Sequence, residues 1–594
     1  MKVSIIKKYI RIVAILVMGG SIFCSCKKVL DVQNQGQVGD ATVWSDPASV
    51  NVLVNYIYTI SEPDHFARGF LGTGLPGAFR YAEGVIADEA RPSITYIGRT
   101  NGLNNGLSFN LDRCPFWEWD YGTIRQCNDF LDKISKNYVL AAGAPQQVID
   151  QRNAMIGQVQ FFRAYQYWRM VQIFGGVPIV DKVLNAGDSA LYRPRNTQEE
   201  CFQFIINDLK TAASLLPLKY SGTDAGRITK GAALALLSRV LLFRASPMYN
   251  TPGSQNWKDA SDAAKAVMDL GIYSLYNQFG RWFFDKTNPE NIWQISFVQS
   301  KREHGWDAAN YPNSVAIGDA VGACPSEELV EAFPMINGKA ITDPLSGYDA
   351  TDPYINRDPR LKATVLCNGD TLAGVQPIWS YVSSGPNTPT NYMYTIDGYE
   401  QPYSTSTGYF MNKAMDARLV QASPRIYNYG IGSYSDWIEI RYAEVLMNYA
   451  EAENELGNTD NAYTQLKAIR QRAGIQPGSD GNYGIPAGLT QDGMRTFIQN
   501  ERFIEFAFEN KRYWDLRRWK LAGTVLNRPT HSMKITKLTN TPRTAHGSDY
   551  SFQIVVNDND VTYPPSFQDK FYYLPLPQDQ LLLNPRMEQN PLWK

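Results

Sequence analysis

The chain has 594 residues, with 57 Lys and Arg against 58 Asp and Glu, for a formal net charge of −1 at pH 7. With that balance the chain as a whole has no basic excess, so nothing in its composition points to nucleic acid or an anionic membrane surface. Aromatic residues make up 12% of the chain, including 35 Tyr and 13 Trp, and Tyr and Trp beyond the needs of a core gather on binding surfaces.

The N-terminus reads as a targeting segment. Lys2, Lys7, Lys8 and Arg11 form a basic region, and Ile12 to Phe23 is apolar but too short to span a bilayer. In Phe23-Cys24-Ser25-Cys26 a small residue directly before a cysteine has the form of a lipobox, so residues 1–25 are expected to be a lipoprotein signal peptide and Cys26 the lipidated residue. Cys24, behind bulky Phe23, fits less well; the alternative is an ordinary secretory signal with incidental cysteines. Residues 26–40 would be the tether, and multiple acyl chains on Cys26 would hold the protein at a membrane. The other cysteines, Cys114, Cys127, Cys201, Cys324 and Cys367, are scattered and odd in number, which is neither a disulfide framework nor a zinc pattern. Only Cys114 and Cys127 suggest a pair.

No linker divides residues 41–594, which are expected to form one body with three parts: 41–249 helical, 250–435 loop-rich and ligand-binding, and 436–594 helical again. Trp44 to Tyr58 reads as a first helix, with Ser45 and Asp46 before Pro47 as start signals. Phe66 to Leu111 is Gly-rich and polar and reads as loop. Trp117 to Ile134 is helical, as is Gln151 to Phe174, which stops at Gly175-Gly176 and Pro178. Thr197 with Glu200 three residues on is a capping box opening a helix to Leu216. Ile228 to Phe243 and Trp257 to Leu270 are further helices. After that Gly, Pro, Asn, Asp, Tyr and Trp take over, and Asn291 to Val298 (NIWQISFV) reads as a short strand. A loop-rich stretch this long inside a compact protein is expected to carry function.

Asp436 to Lys520 predicts three amphipathic helices. In the first, Trp437, Ile440, Ala443, Met447 and Ala450 share one face, and Gly457-Asn458 ends it. The second runs from about Ala462 to Ala473 and the third from about Gln491 to Tyr513. Successive helical hairpins point to a solenoid of the tetratricopeptide kind. Glu501, Glu505 and Glu509, four apart, line one face of the third helix, and like charges at that spacing repel. An ion-pair lattice with Arg470, Arg472, Arg502, Arg512 and Arg518 is expected rather than an acidic catalytic or metal site, since no His or Cys joins the carboxylates.

The wording RYAEVLMNYAEAENELGN, then IRQRAG, then ERFIEFAFENKRYWDLRRW resembles the C-terminal signature of the SusD/RagB family, nutrient-binding outer-membrane lipoproteins of Bacteroidota. Further motifs resemble the family in the same order: Arg163-Ala164 in a helix ending FG-x-VP, Asp358-Pro359-Arg360, Lys413, Leu574-Pro575-Leu576-Pro577 and Gln589-Asn590-Pro591. The resemblance covers nearly the whole chain after the tether. It implies a mainly α, tetratricopeptide-like helical-hairpin superhelix with a large loop-rich region containing short strands. It also implies a lipid-anchored outer-membrane protein, facing the cell exterior, that captures an oligosaccharide and passes it to a SusC-like TonB-dependent transporter.

Enzyme signatures are missing from the sequence. The four histidines, His65, His304, His531 and His546, have no metal-ligand spacing, and no nucleophile elbow or P-loop occurs. No enzyme activity, cofactor, metal or nucleic-acid partner is expected. A glycosidase needs a pair of carboxylates several ångströms apart, and no pair stands out. The alternatives are a secreted helical glycoside hydrolase or lyase, and a purely structural surface protein.

Sugars present C–H faces for aromatic rings and a rim of hydroxyls for polar side chains, and such residues belong on loops over a rigid scaffold. Chosen by position and type, the expected ligand-binding residues are Asp88, Tyr96 and Arg99 before Trp117, and Trp306, Asn310 and Tyr311 after the NIWQISFV strand. A second group is Tyr348, Trp379, Tyr381, Tyr392, Tyr394 and Tyr399.

Overall fold

The structure, a computed structural model, describes residues 40–63, 83–93, 115–250, 254–315, 322–372, 376–383, 396–399, 401, 404–416, 432–539, 549–562 and 564–594. The expected signal peptide (residues 1–25), Cys26, Cys114, Tyr96, Arg99, Tyr392 and Tyr394 lie outside them. Helix α1 (Pro47–Ser61) starts at Asp46, whose carboxylate accepts the Ala48 and Ser49 N–H groups at 3.2 and 2.9 Å. A separate short helix, Asp40–Ser45, precedes it, so the helix expected from Trp44 is divided at the cap. There follow α2 (Pro115–Asn137), α3 (Gln146–Phe174), α4 (Gln198–Leu215), α5 (Lys230–Ala245) and α6 (Ser254–Met268), each packed on the next. α3 and α5 are buried almost all round because helices cover them on opposite sides.

The sharp stop of α3 has a steric cause. Gly175 takes φ 78°, and a Cβ on Gly176 would collide with the Asn196 carbonyl oxygen. The chain then returns into α4 through the expected capping box: Thr197 Oγ1 accepts the Glu200 N–H at 3.2 Å, and Glu200 Oε2 accepts the Thr197 N–H at 2.7 Å.

The middle region holds β1 (Asn291–Ile295) and β2 (Val382–Ser383) among loops and one-turn helices. The C-terminal region begins with β3 (Trp437–Arg441), antiparallel to β1, and not with a helix as the sequence predicts. Its residues obey a period of two. Glu439 and Arg441 enter ion pairs, and Ile438 and Ile440 between them join the apolar core. Helix α7 (Tyr442–Glu455) starts only after this strand; α8 (Thr459–Ala473) and α9 (Gln491–Glu505) follow. α9 also stops short of the expected Tyr513. Phe508 (φ 59°) and Asn510 (φ 56°) take the left-handed conformation, and a new helix, α10 (Arg512–Arg518), begins. Two long strands near the end, β4 (His531–Lys537) and β5 (Tyr550–Val556), pair antiparallel, and β2 adds to β4 in parallel.

α7 packs against α6 as well as against α8 and α9, so the superhelix is continuous in space although 269–436 interrupt it in sequence. One large core runs through all three regions, and a smaller one lies between α7, α8 and α9. Cys127, Cys201, Cys324 and Cys367 are buried free thiols. Among the described residues no helix is long and apolar enough to cross a membrane.

Glu501, Glu505 and Glu509 sit in the expected lattice, fully buried. Arg360 reaches Glu501 at 2.7 Å and Glu505 at 2.9 Å, and Arg470 reaches Glu501 at 2.9 Å. Arg441 pairs with Glu290, Glu505 and Glu509, Arg472 with Glu290 and Glu505, and Lys413 with Glu509 at 2.6 Å. With Asp358 on Arg360, five cations meet five carboxylates, so the buried assembly is neutral, as it must be in a poorly polarisable interior. These cations hold the Glu501, Glu505 and Glu509 carboxyls below the usual range against the opposing pull of burial. Of the expected partners, Arg470 and Arg472 belong here. Arg502 and Arg518 pair instead with Asp515, and Arg512 with Asp88.

Candidate functional site

The residues expected after β1 do not face outward. Gly305 leads into a one-turn helix, Trp306–Asn310. Trp306, Asn310 and Tyr311 are 2%, 0% and 3% exposed. Asn310 Oδ1 accepts the Ala323 N–H at 3.1 Å and its amide donates to the Trp306 carbonyl at 2.9 Å. The Tyr311 hydroxyl donates to the Asp416 carbonyl at 2.8 Å, while Asp307 accepts the Asp416 N–H and the Ser433 hydroxyl. Beside them His304 accepts the Trp306 N–H on Nδ1, faces the Ser435 carbonyl with Nε2 at 3.0 Å, and is pushed by burial down to about 4, so it stays neutral. The segment is a staple that ties the chain at 416 and 433–435 to β1's end. The ligand-binding role expected of Trp306, Asn310 and Tyr311 does not match this placement: the three side chains are buried, and the Asn310 amide and the Tyr311 hydroxyl are taken up by backbone partners. Asp88 is likewise committed, with both carboxylate oxygens on Arg512 at 2.8 and 2.6 Å.

The second aromatic group is presented differently. A run of rings crosses the face of the β2–β4–β5 sheet: Trp379 to Tyr381 at 6.0 Å between centroids, Tyr381 to Tyr550 at 5.5 Å, Tyr550 to Phe552 at 6.3 Å, Phe552 to Tyr354 at 5.7 Å, and Tyr354 to Tyr409 at 6.0 Å. Tyr381, Tyr550 and Tyr409 are buried, whereas Trp379, Phe552 and Tyr354 are half-buried. The result is a shelf of three part-exposed rings seated on three buried ones.

Local pairing fixes the shelf. The Ile378 N–H donates to the Asp370 carbonyl and the Ser380 N–H to Asn368 Oδ1, on either side of Trp379. The Tyr399 N–H donates to the Ser380 carbonyl at 3.2 Å, which brings half-buried Tyr399 to the same place. On the sheet, Lys537 stands opposite Tyr550, Ile535 opposite Phe552 and Met533 opposite Ile554. The Lys537 ammonium lies 5.9 Å from the Tyr381 ring centre and 5.1 Å from that of Tyr550, which makes the floor electropositive. Trp379, Tyr381 and Tyr399 are thus brought together from the predicted group, while Tyr348 stands under Arg357 at 5.6 Å.

Phe552, Tyr354 and Lys537 were not predicted. The signal for Phe552 is in the alternation of YSFQIVV, where Tyr550, Phe552 and Ile554 fall on every second position. Tyr354 carries no such signal.

The nearby carboxylate, Glu327, is pushed up to about 7 by burial and accepts the Tyr409 hydroxyl at 2.6 Å, sealed beneath the rings. Among the described residues no three His, Cys, Asp or Glu side chains are grouped to hold a metal ion. What the shelf offers chemically is apolar stacking area with a positive floor.

The family model described as the SusD family matches residues 289–593, and one described as starch-binding, associating with the outer membrane, matches 99–242. The chain belongs to the SusD family. SusD-like protein P2 of Formosa agariphila is 24% identical over 72% of this chain and 74% of its own. A SusD-like protein of Bacteroides fragilis has a solved structure with a TM-score of 0.71 at 25% identity, covering 93% of this chain and 98% of that one. A SusD-like carbohydrate-binding protein of the same organism gives 0.70 at 22% identity over 92% of this chain. The SusD-family fold therefore extends across both helical regions and the loop-rich region between them, including the segment that carries the shelf.

Proposed function

We propose that this SusD-family protein binds an oligosaccharide at the cell surface and performs no chemistry on it. The observation that carries the reading is the shelf of Trp379, Phe552 and Tyr354, part-exposed on the loop-rich side of a rigid helical scaffold. Stacking of sugar C–H faces on these rings supplies the affinity, and polar groups around them supply the orientation. The family description as starch-binding and associating with the outer membrane, and a structural relative named as carbohydrate-binding, support the same reading. Lipidation at Cys26 holds the protein on the outer membrane with this side outward, and the bound glycan passes to a SusC-like TonB-dependent transporter.

Calorimetric titration of the chain from Lys27 onward with a panel of soluble glycans tests this. Trp379→Ala is expected to weaken binding of any hit by about tenfold or more, the scale of one stacking aromatic, with an unchanged circular-dichroism spectrum at the titration temperature. Full affinity in both Trp379→Ala and Phe552→Ala overturns the site. Release of reducing ends from a polysaccharide overturns the non-enzymatic reading.

A further inference from the structure

Where the α3–α4 connection meets the C-terminal segment, a cleft of about 510 Å³ is lined by Ser189, Arg193, Arg195, Asn196 and Arg586. It lies in the helical part of the chain and none of its residues belongs to the aromatic shelf. Its three arginines are fixed or free in an unusual combination. Arg193 donates to the carbonyls of Ala190, at 2.9 Å, and Ile179. Arg195 donates to those of Gly176, Phe174 and Glu588 at 2.6, 2.9 and 3.1 Å. All five acceptors are neutral backbone oxygens. Arg586 is exposed, and its guanidinium has no partner among the described residues. None of the three makes an ion pair with a carboxylate among the described residues, in contrast to the neutral lattice around Glu505.

Three of the acidic groups on neighbouring segments are engaged elsewhere. Asp188 accepts the Asn185 N–H at 2.6 Å, Glu200 closes the capping box on Thr197, and Glu588 holds Lys594 at 2.8 Å. Three guanidiniums sharing one concave surface repel one another, and Arg195 is held below its usual pKa by burial. An arriving anion relieves both effects. The planar donor fork of arginine matches the edge of a tetrahedral oxyanion; Arg586 offers such a fork whole, and Arg193 and Arg195, held in place by the carbonyls, keep three and two N–H groups for the same ligand.

We propose that this cleft binds a tetrahedral oxyanion, sulfate or phosphate, taken as the free ion or as the ester or headgroup of a small molecule. The test uses the chain from Lys27 onward, titrated by calorimetry with sodium sulfate and sodium phosphate at constant ionic strength set with chloride. Co-sedimentation with phosphatidylglycerol vesicles, against phosphatidylcholine vesicles, is run in parallel. Saturable binding of either ion is expected. Arg586→Ala should lower affinity about tenfold, the effect of one charge-assisted contact, and Arg586→Glu should abolish binding. Because the Arg586 guanidinium bonds to nothing described, both variants should keep the parent melting temperature. Lys219→Ala, which removes an exposed cation outside the cleft, should change nothing.

Binding of ions without vesicles assigns the site to a free or ester-borne anion. Arg586-dependent binding of phosphatidylglycerol vesicles assigns it to a headgroup. No saturable binding of sulfate, phosphate or phosphatidylglycerol, or equal binding by Arg586→Glu, overturns the proposal.

Discussion

Glu89 shows how far a single buried group departs from its solution behaviour. It is 1% exposed, and burial, reinforced by Asp88, pushes its carboxyl up to about 8. Its Oε1 accepts the Phe508 N–H at 3.4 Å, at the turn where α9 gives way to α10. Between its ordinary value and about 8 the folded protein holds a proton that the unfolded chain has lost. This contribution to stability is complete below the unfolded pKa and is lost as pH rises through the folded one, at up to about 1.4 kcal/mol per pH unit. Glu89→Gln keeps the shape and removes the titration. Thermal denaturation should therefore show the variant melting above the parent at pH 8 and with it, or slightly below, at pH 5; equal differences at both values would refute the assignment. Gly176 poses a steric question at the same scale. Gly176→Ala should lower the melting temperature, because its Cβ meets a backbone oxygen that cannot swing away.

Among the elements, β3 carries more connections than its five residues suggest. Its Glu439 and α7's Glu444 hold Arg239 of α5, and its Arg441 holds Glu290, Glu505 and Glu509. A buried lattice need not be more stable than a hydrophobic replacement of the whole, but removing one member strands the rest. Arg441→Met should cost about 3–5 kcal/mol, read as a lower urea midpoint with an unchanged slope. Glu505→Gln, which strands Arg441, Arg472 and Arg360 together, should be at least as damaging. A loss under about 1 kcal/mol in either would mean that surrounding water already screens the site.

At the scale of the molecule, the N-terminal helices and the C-terminal helices form one superhelix because α7 covers α6 and β3 pairs with β1. The middle region is bound in by the same contacts, since Glu290, Arg360 and Lys413 all find partners in residues 441–509. A chain stopped after Ser435 should therefore fail to fold rather than yield a stable N-terminal domain. Circular dichroism should show no cooperative melting for it, against a single transition for the full chain. A cooperative transition in the truncated chain would show that 41–249 is an independent unit.

The sequence by itself determined the helices whose ends are written in local chemistry. Asp46 before Pro47, the Thr197 and Glu200 pair and the glycines at 175–176 each act within a few residues. The family signature was legible too, and it carries Arg441, Arg470, Arg472, Glu501, Glu505 and Glu509 of the lattice. Tertiary structure alone decided where local signals conflict or are silent. Trp437 to Arg441 fits a helical stripe as well as a strand, and pairing with β1 selects the strand. Trp306 and Trp379 look alike in sequence, both aromatic and in loop-rich surroundings. One is sealed by Asp307 and Asn310 capturing distant amides, and the other rests half-exposed on Tyr381. Whether a ring faces solvent depends on what the rest of the chain lays over it. That covering comes from residues more than a hundred positions away, as Tyr311 and Asp416 show, beyond the reach of any local pattern.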